Sequence, residues 1–158
     1  MTHHSSTQHI ISRIAIYLLA IVMIIFGIQH FVNPDALLVA VPAFLPGGIF
    51  WVYVVGAAFI LAAISFMTNI LVRVAAYLLA LLLISFVFLV HLPNYTQTAD
   101  KGYQLNALMS MLKDTAIAAF ALYIASNARH QRILEETEVE KEVAEETAAR
   151  SGEVSTQS

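Results

Sequence analysis

Six polar side chains lie within or beside the long apolar stretches of this 158-residue sequence. Imidazole, carboxyl, ammonium, phenol and amide groups can hydrogen-bond the polar end of an otherwise apolar molecule. Histidine can also exchange a proton near neutral pH, and a nearby carboxyl group tunes that exchange. The six candidate site residues are Gln29, His30, Tyr53, His91, Lys113 and Asp114.

Asp114 is the most constrained of the six. A helix from Asp114 to Arg129 would be only about 22 Å long, which is short of the roughly 30 Å hydrocarbon core of a bilayer. Residues before Asp114 must therefore enter the bilayer as well, which places the carboxyl group about 10 Å below the outer boundary. An isolated carboxylate there would cost several kcal/mol, so we expect it to be paired, hydrogen-bonded or protonated.

The residues after Asp114 indicate which way its side chain faces. Ala118, Ala121 and Ala125 follow it at i+4, i+7 and i+11. A stripe of small residues allows two membrane helices to approach closely, so this face of the helix, with Asp114, should point into a bundle. Lys113 lies about 100° round the helix and is expected to extend toward the interface.

The composition identifies the elements that must position these side chains. Hydrophobic residues make up 59% of the chain and charged residues 12%, and the mean hydropathy is +0.74. A water-soluble domain of this size has too little interior to bury that much apolar surface. We therefore predict an all-α fold. Residues 13–129 are predicted to form a four-helix transmembrane bundle, and residues 1–12 a polar segment that precedes it. The predicted spans are residues 14–29, 49–67, 74–90 and 105–127.

The topology of such a bundle brings the candidates to one depth. The first and third helices run in the same direction and end on the same side at His30 and His91, and Tyr53 lies about one turn inside the second helix. A polar cluster near the outer face is the prediction. The alternatives are that these side chains only anchor helix ends at the interface, or that His30 and His91 ligate a haem or metal ion, for which we assign no site.

Basic residues predict the orientation, because Arg and Lys in short loops stay on the cytoplasmic side. Both termini are predicted to be cytoplasmic; a cleaved signal peptide is the alternative for residues 10–29, although no small-residue cleavage pattern follows them. Residues 130–158 carry three basic and eight acidic residues. They are predicted to form an acidic cytoplasmic tail, helical or disordered. The basic residues on the predicted inner side are Arg13, Arg73, Arg129 and Arg132.

Between the first two spans lies a segment that we call the lid, residues 33–48. Asn33 is predicted to cap a short helix that begins at Pro34 and runs to about Val41. Nearly all the side chains after it are apolar, so the lid should lie in the interface or fold back over the bundle. An inert interfacial connector is the alternative. Its predicted turn residues are Pro42, Pro46, Gly47 and Gly48.

Two further features limit the structure and the chemistry. Pro93 is predicted to end the third helix, and residues 93–104, with a turn at Gly102, to form a polar outer loop. The chain has no cysteine. This excludes disulfide exchange by the chain itself, thioether-linked haem and cysteine-ligated metal clusters, so any redox chemistry would need another group.

The string "FGIQHFVNPDALLVAVPAFLPGGIFWVYVVG", residues 26–56, resembles the DoxX-like membrane proteins, in which Phe-Gly-x-x-His-Phe is followed by a proline and a Pro-x-x-Leu-Pro turn. "HLP" at 91–93 and "KD" at 113–114 resemble later landmarks of one branch. The resemblance covers residues 12–128 and implies a four-helix bundle in a prokaryotic cytoplasmic membrane. It also implies an association with redox complexes or quinone-coupled sulfur oxidation. Many relatives carry a glutamate three residues after the second-helix glycine; here that position is Phe59.

Two functional hypotheses follow. The first is an accessory subunit, rather than a self-sufficient enzyme, that binds a quinone or similar lipid-soluble ligand under the lid. The second is a non-catalytic membrane scaffold in which the polar cluster only fixes the helix register; a small-solute transporter is a further, weaker alternative. The expected partners are the lipid bilayer and a membrane or cytoplasmic redox protein, with no nucleic acid and with quinone as the sole candidate cofactor.

Overall fold

The computed structural model describes the backbone of residues 3–42 and 44–156 and, within the apolar part, the side chains of residues 10–42 and 44–128. The described residues form helices and no strand, which confirms the all-α fold class. A π-helical turn, Val87–His91, lies between the helices Val72–Phe86 and Leu92–Gln97. The helices are α1 (His3–Val32), α2 (Pro34–Leu38), α3 (Ile49–Thr68), α4 (Val72–Phe86), α5 (Leu92–Gln97) and α6 (Lys101–Thr156).

Among the described residues, four helical stretches are long and apolar enough to cross a membrane. They correspond to the four predicted spans. The first, third and fourth are longer than predicted at both ends, and the second is longer at its carboxyl end only. They fit an integral membrane protein, as the composition predicted. The four stretches are Ile10–Val32, Ile49–Thr68, Val72–Gln97 and Lys101–Ala128.

The chain divides into two units, Met1–Ala125 and Ser126–Ser158. The first unit contains the lid and nearly all of the four apolar stretches. In the second unit the backbone is helical through Thr156, so the acidic tail adopts the helical one of its two predicted states.

Helices α1 and α3 cross at two glycines. A Cβ atom added at Gly27 would lie 2.5 Å from Ile60 Cγ1 and 2.9 Å from the carbonyl oxygen of Gly56. A Cβ atom added at Gly56 would lie 2.7 Å from His30 Cβ and 3.1 Å from the carbonyl oxygen of Gly27. Such separations are too short for any larger residue, so the two backbones are in direct contact because both positions are glycine.

The small-residue stripe of the fourth span is buried, as predicted. Asp114 is 5% exposed, and the alanines that follow it on the same face of α6 are all buried. A larger side chain would hold α6 away from its neighbours, whereas alanine lets it pack closely. The buried alanines of this stripe are Ala118, Ala121 and Ala125.

The prediction that Pro93 ends the third helix was wrong. The helix widens into the π turn, in which the N–H of Leu92 bonds to the carbonyl of Val87, and then continues as α5 to Gln97. Pro93 lies in the first turn of α5, where its missing N–H is tolerated. π turns of this kind are frequent at functional sites, and this one ends at His91.

The predicted outer loop is correspondingly short, because only residues 98–100 are non-helical between α5 and α6. Asp100 Oδ1 accepts a hydrogen bond from the backbone N–H of Tyr103 at 2.7 Å, which caps α6. Gly102 therefore lies in the first helical turn instead of forming a turn of its own.

The lid contains a shorter helix than predicted, since α2 ends at Leu38. Asn33 does not cap it, because its side-chain amide donates instead to Gln29 Oε1 at 2.6 Å. Gly47 and Gly48 have φ angles of 99° and 43°, a region that glycine adopts readily and other residues rarely do. They turn the chain into α3, where Trp51 Nε1 donates to the carbonyl of Pro46 at 2.8 Å and fixes the end of the lid.

Candidate functional site

A cavity of about 720 Å³ lies at the end of the bundle that carries the lid. Side chains of α1, the lid, α3, the third span and α6 line it, and most of them are apolar. The lid forms one wall, as predicted for a segment folded back over the bundle. The apolar lid residues that line the cavity are Ala36, Leu37, Ala40, Val41, Pro42 and Leu45. The apolar helix residues that line it include Phe26, Phe59, Leu83, Phe86 and Val90.

The polar part of the cavity centres on a pair formed by His91 and Asp114. His91 Nε2 lies 2.9 Å from Asp114 Oδ2, and the two side chains are 18% and 7% exposed. The π turn positions the imidazole and the alanine stripe positions the carboxyl group. The predicted interior location of Asp114 is confirmed, and its partner is the imidazole of His91. A hydrogen-bonded pair of this kind provides the compensation that a carboxylate removed from water requires.

Lys113 brings a positive charge to the same region. Its ammonium nitrogen lies 3.8 Å from Asp114 Oδ1 and 4.9 Å from the centroid of the Phe26 ring. The second distance is that of a cation–π interaction. The side chain is 48% exposed and lines the cavity, so it can both reach the interface and donate to a ligand.

His30 also lines the cavity. Its Nδ1 lies 2.7 Å from the backbone carbonyl of Phe26, one turn earlier on α1. Its ring meets Phe59 edge-on, with centroids 5.4 Å apart. Close packing against Gly56 also limits where the side chain can lie. The imidazole is thus held by a hydrogen bond, an aromatic contact and the helix crossing.

The other two candidates differ in position. Gln29 lines the cavity, and its Oε1 accepts the hydrogen bond from Asn33. Tyr53 is not among the residues that line it. On α3 the cavity-lining residues are Trp51, Val52, Val55 and Phe59. Tyr53 stacks on Phe31, with ring centroids 5.6 Å apart.

A family model described as a domain of unknown function, DUF8561, matches residues 19–113, more than half of the chain. The chain belongs to the DUF8561 family. No curated protein and no solved structure matches it. The DUF8561 region contains Gln29, His30, His91 and Lys113 and ends one residue before Asp114, the buried partner of His91.

Sequence reasoning missed four aromatic residues of this DUF8561 cavity: Phe26, Trp51, Phe59 and Phe86. Phe26 could have been found from its spacing, because a residue four positions before His30 lies on the same face of α1. Trp51 is the single tryptophan of the chain. Its position near the junction of the lid and α3 could be predicted from the sequence, but the presence of a cavity beside it could not.

The residue types of the site limit what it can bind. Among the described residues of this DUF8561 chain, no group of three His, Asp or Glu side chains is placed to hold a metal ion. His91, Asp114 and Lys113 instead form a compact set of hydrogen-bond donors and acceptors beside a large apolar volume. That combination suits an apolar molecule with a small polar end.

Proposed function

We propose that this protein binds a quinone-like or other lipid-soluble ligand in the cavity beneath the lid and serves as an accessory subunit of a redox-associated membrane complex. The observation that carries the proposal is the cavity of about 720 Å³, with His91, Asp114 and Lys113 grouped in a mostly apolar wall. Apolar walls would favour the ring and tail of such a ligand over water. The grouped polar side chains would fix the orientation of its head.

The electrostatics of the polar group support a ligand that carries an acceptor oxygen. Lys113 has three N–H donors, and its nearest anionic oxygen in the structure is 3.8 Å away, beyond ordinary hydrogen-bond distance. The ammonium group can therefore donate to a quinone carbonyl without first breaking a short ion pair. A charged donor makes a stronger hydrogen bond than a neutral one.

The resemblance to DoxX-like proteins supports the same proposal. The string that carries it, residues 26–56, supplies Phe26, Gln29 and His30, the lid, and the first turns of α3, which together line a large part of the cavity. Phe59, which stands where many of those proteins have a glutamate, also lines it and contacts His30. We therefore propose that the ligand site is shared while its chemistry differs, because the carboxyl group here is Asp114.

Binding can be measured through Trp51, the sole tryptophan, which lines the cavity. Titration with 2-methyl-1,4-naphthoquinone in detergent is expected to quench its fluorescence in a saturable manner. The Lys113→Met variant should bind about tenfold more weakly, because it loses a charge-assisted hydrogen bond. Tyr53→Phe, which lies off the cavity, is the matched control and should leave the Kd unchanged.

Quenching that rises linearly, with no saturation and equally in both variants, would indicate partition of the quinone into the micelle. The proposed function would then be wrong, and the scaffold hypothesis would remain. A saturable signal that Lys113→Met leaves unaltered would place the ligand elsewhere.

We further propose that the termini and the acidic tail lie in the cytoplasm of a prokaryotic cell, as the basic residues near Arg13 and Arg73 predict. The chain lacks cysteine, so a single introduced cysteine is labelled uniquely. On intact bacterial cells a membrane-impermeant maleimide should modify Ala99→Cys, and it should modify Ile70→Cys only after permeabilisation. Both parent residues are exposed. The opposite labelling pattern would reverse the orientation.

A further inference from the structure

The hydrogen bond of His30 determines which of its nitrogens carries the proton. Nδ1 lies 2.7 Å from the carbonyl oxygen of Phe26, and a carbonyl oxygen only accepts. Nδ1 must therefore carry the proton and donate it. In the neutral imidazole Nε2 then has a lone pair and no proton, so it is a hydrogen-bond acceptor.

Nε2 of His30 has no hydrogen-bond partner among the described residues and is accessible. Within the described part of the chain His30 makes one hydrogen bond, through Nδ1, and its ring contacts Phe59 without using Nε2 as a donor or acceptor. No buried side-chain nitrogen or oxygen atom of the described residues lacks a partner. Nε2 has none, so it is not buried, and His30 is one of the residues that line the cavity.

Two neighbouring acceptors in the polar region already have a partner within hydrogen-bond distance. Gln29 Oε1 accepts from Asn33 at 2.6 Å, and Asp114 Oδ2 lies 2.9 Å from His91 Nε2, whereas Asp114 Oδ1 lies 3.8 Å from Lys113 Nζ. The state of His91 is not fixed in the same way, because its partner is a carboxyl group, which accepts when ionised and donates when protonated. The backbone carbonyl of Phe26 therefore fixes His30 Nδ1 as a donor, whereas no such bond fixes the donor and acceptor nitrogens of His91.

We propose that His30 Nε2 accepts a hydrogen bond from a hydroxyl group of the bound ligand. The site would then select an apolar molecule with a phenol or hydroquinone hydroxyl over one whose polar end has no donor. This inference rests on the proposed function and deepens it: the cavity takes the hydroxylated, reduced form of such a ligand in preference to an O-alkylated or fully oxidised form.

A pair of redox-inert probes tests the inference directly. 4-Nonylphenol and 4-nonylanisole share the tail and ring, but only the phenol has an O–H donor. The phenol is expected to bind about five- to tenfold more tightly in the Trp51 fluorescence assay, the effect of one neutral hydrogen bond. The site variants then show which protein atom is responsible.

Two substitutions separate the two nitrogens of His30. In His30→Asn the side-chain amide can still donate to the Phe26 carbonyl but no atom replaces Nε2, whereas in His30→Gln an amide oxygen can occupy the Nε2 position. The preference for the phenol should disappear in His30→Asn and persist in His30→Gln, with the affinity for the anisole unchanged within a factor of two. A loss in both variants would be assigned to misfolding only if the anisole also failed to bind.

The outcomes separate this inference from the proposed function. If the naphthoquinone binds saturably but the phenol and anisole bind equally well to the unaltered protein, His30 is not a ligand acceptor, and the inference fails alone. The same holds if His30→Asn retains the preference for the phenol. If none of the three probes binds saturably, both the inference and the proposed function are wrong.

Discussion

The Gly56→Leu variant is expected to lose at least about 3 kcal/mol of unfolding free energy, at the upper end for overpacked cores. Even the first side-chain atom at this position would lie 2.7 Å from His30 Cβ and 3.1 Å from the backbone oxygen of Gly27. The α1 backbone cannot give way as a flexible side chain would, so the helices must separate. The measurement is equilibrium unfolding in mixed detergent–SDS micelles, followed by circular dichroism.

Ala57→Leu is the control for this prediction. Ala57 is the next residue of α3 and is exposed, so a leucine there extends toward the surroundings of the bundle. It should shift the unfolding free energy by less than about 0.5 kcal/mol, as is usual for surface positions. Equal losses in the two variants would contradict the glycine crossing as the constraint that holds α1 against α3.

The same crossing links stability to the ligand site. Gly56 and His30 are in contact, and His30 lines the cavity. A side chain at position 56 would therefore displace the imidazole as well as the helix. The close approach of α1 and α3 therefore both packs the two helices together and positions the His30 imidazole in the cavity wall.

The second large effect is expected from Asp114→Leu. This change removes the partner of His91, leaving a largely buried imidazole without its hydrogen bond, and should lower the unfolding free energy by about 1–3 kcal/mol. Combining it with His91→Phe removes the polar group left behind, and stability should return to within about 1 kcal/mol of the unaltered protein. Naphthoquinone binding, in contrast, should be weakened at least tenfold in both the single and the double variant.

A double-mutant cycle with His91→Phe alone completes this test. The unfolding free energies give the coupling between the two side chains, and the Trp51 assay gives the binding. If the double variant is stable and still binds the quinone normally, the pair serves only to hold the helices in register. If the two destabilisations simply add, the hydrogen bond between His91 and Asp114 contributes little to folding.

Several parts of the site could be predicted because they follow from length and periodicity. Asp114 had to be buried, since too few residues follow it to span a bilayer, and its face of α6 had to be the alanine face. The approximate depth of His30 and His91 followed from helix direction alone. These arguments use only the rise and the repeat of a helix, which any sequence of sufficient apolar length obeys.

Other parts could not be predicted because they depend on local hydrogen bonds that compete with one another. Asn33 was expected to cap α2 but donates to Gln29, one turn back on α1. Pro93 was expected to end a helix but follows a π turn that accommodates it. The direction in which Tyr53 points could not be derived from its position along α3, because direction depends on how α3 is rotated against α1.

The sequence by itself determined that the chain forms four apolar helices, that a lid lies between the first two, and that a carboxyl group is buried in the fourth. Hydrophobic length and the helical repeat are sufficient for these conclusions. Only the tertiary structure decided that Asp114 pairs with His91 instead of His30, that Tyr53 lies off the cavity, and that the lid encloses about 720 Å³. Those outcomes depend on how the helices rotate about their axes and how closely their backbones approach, and both are set by packing between distant residues.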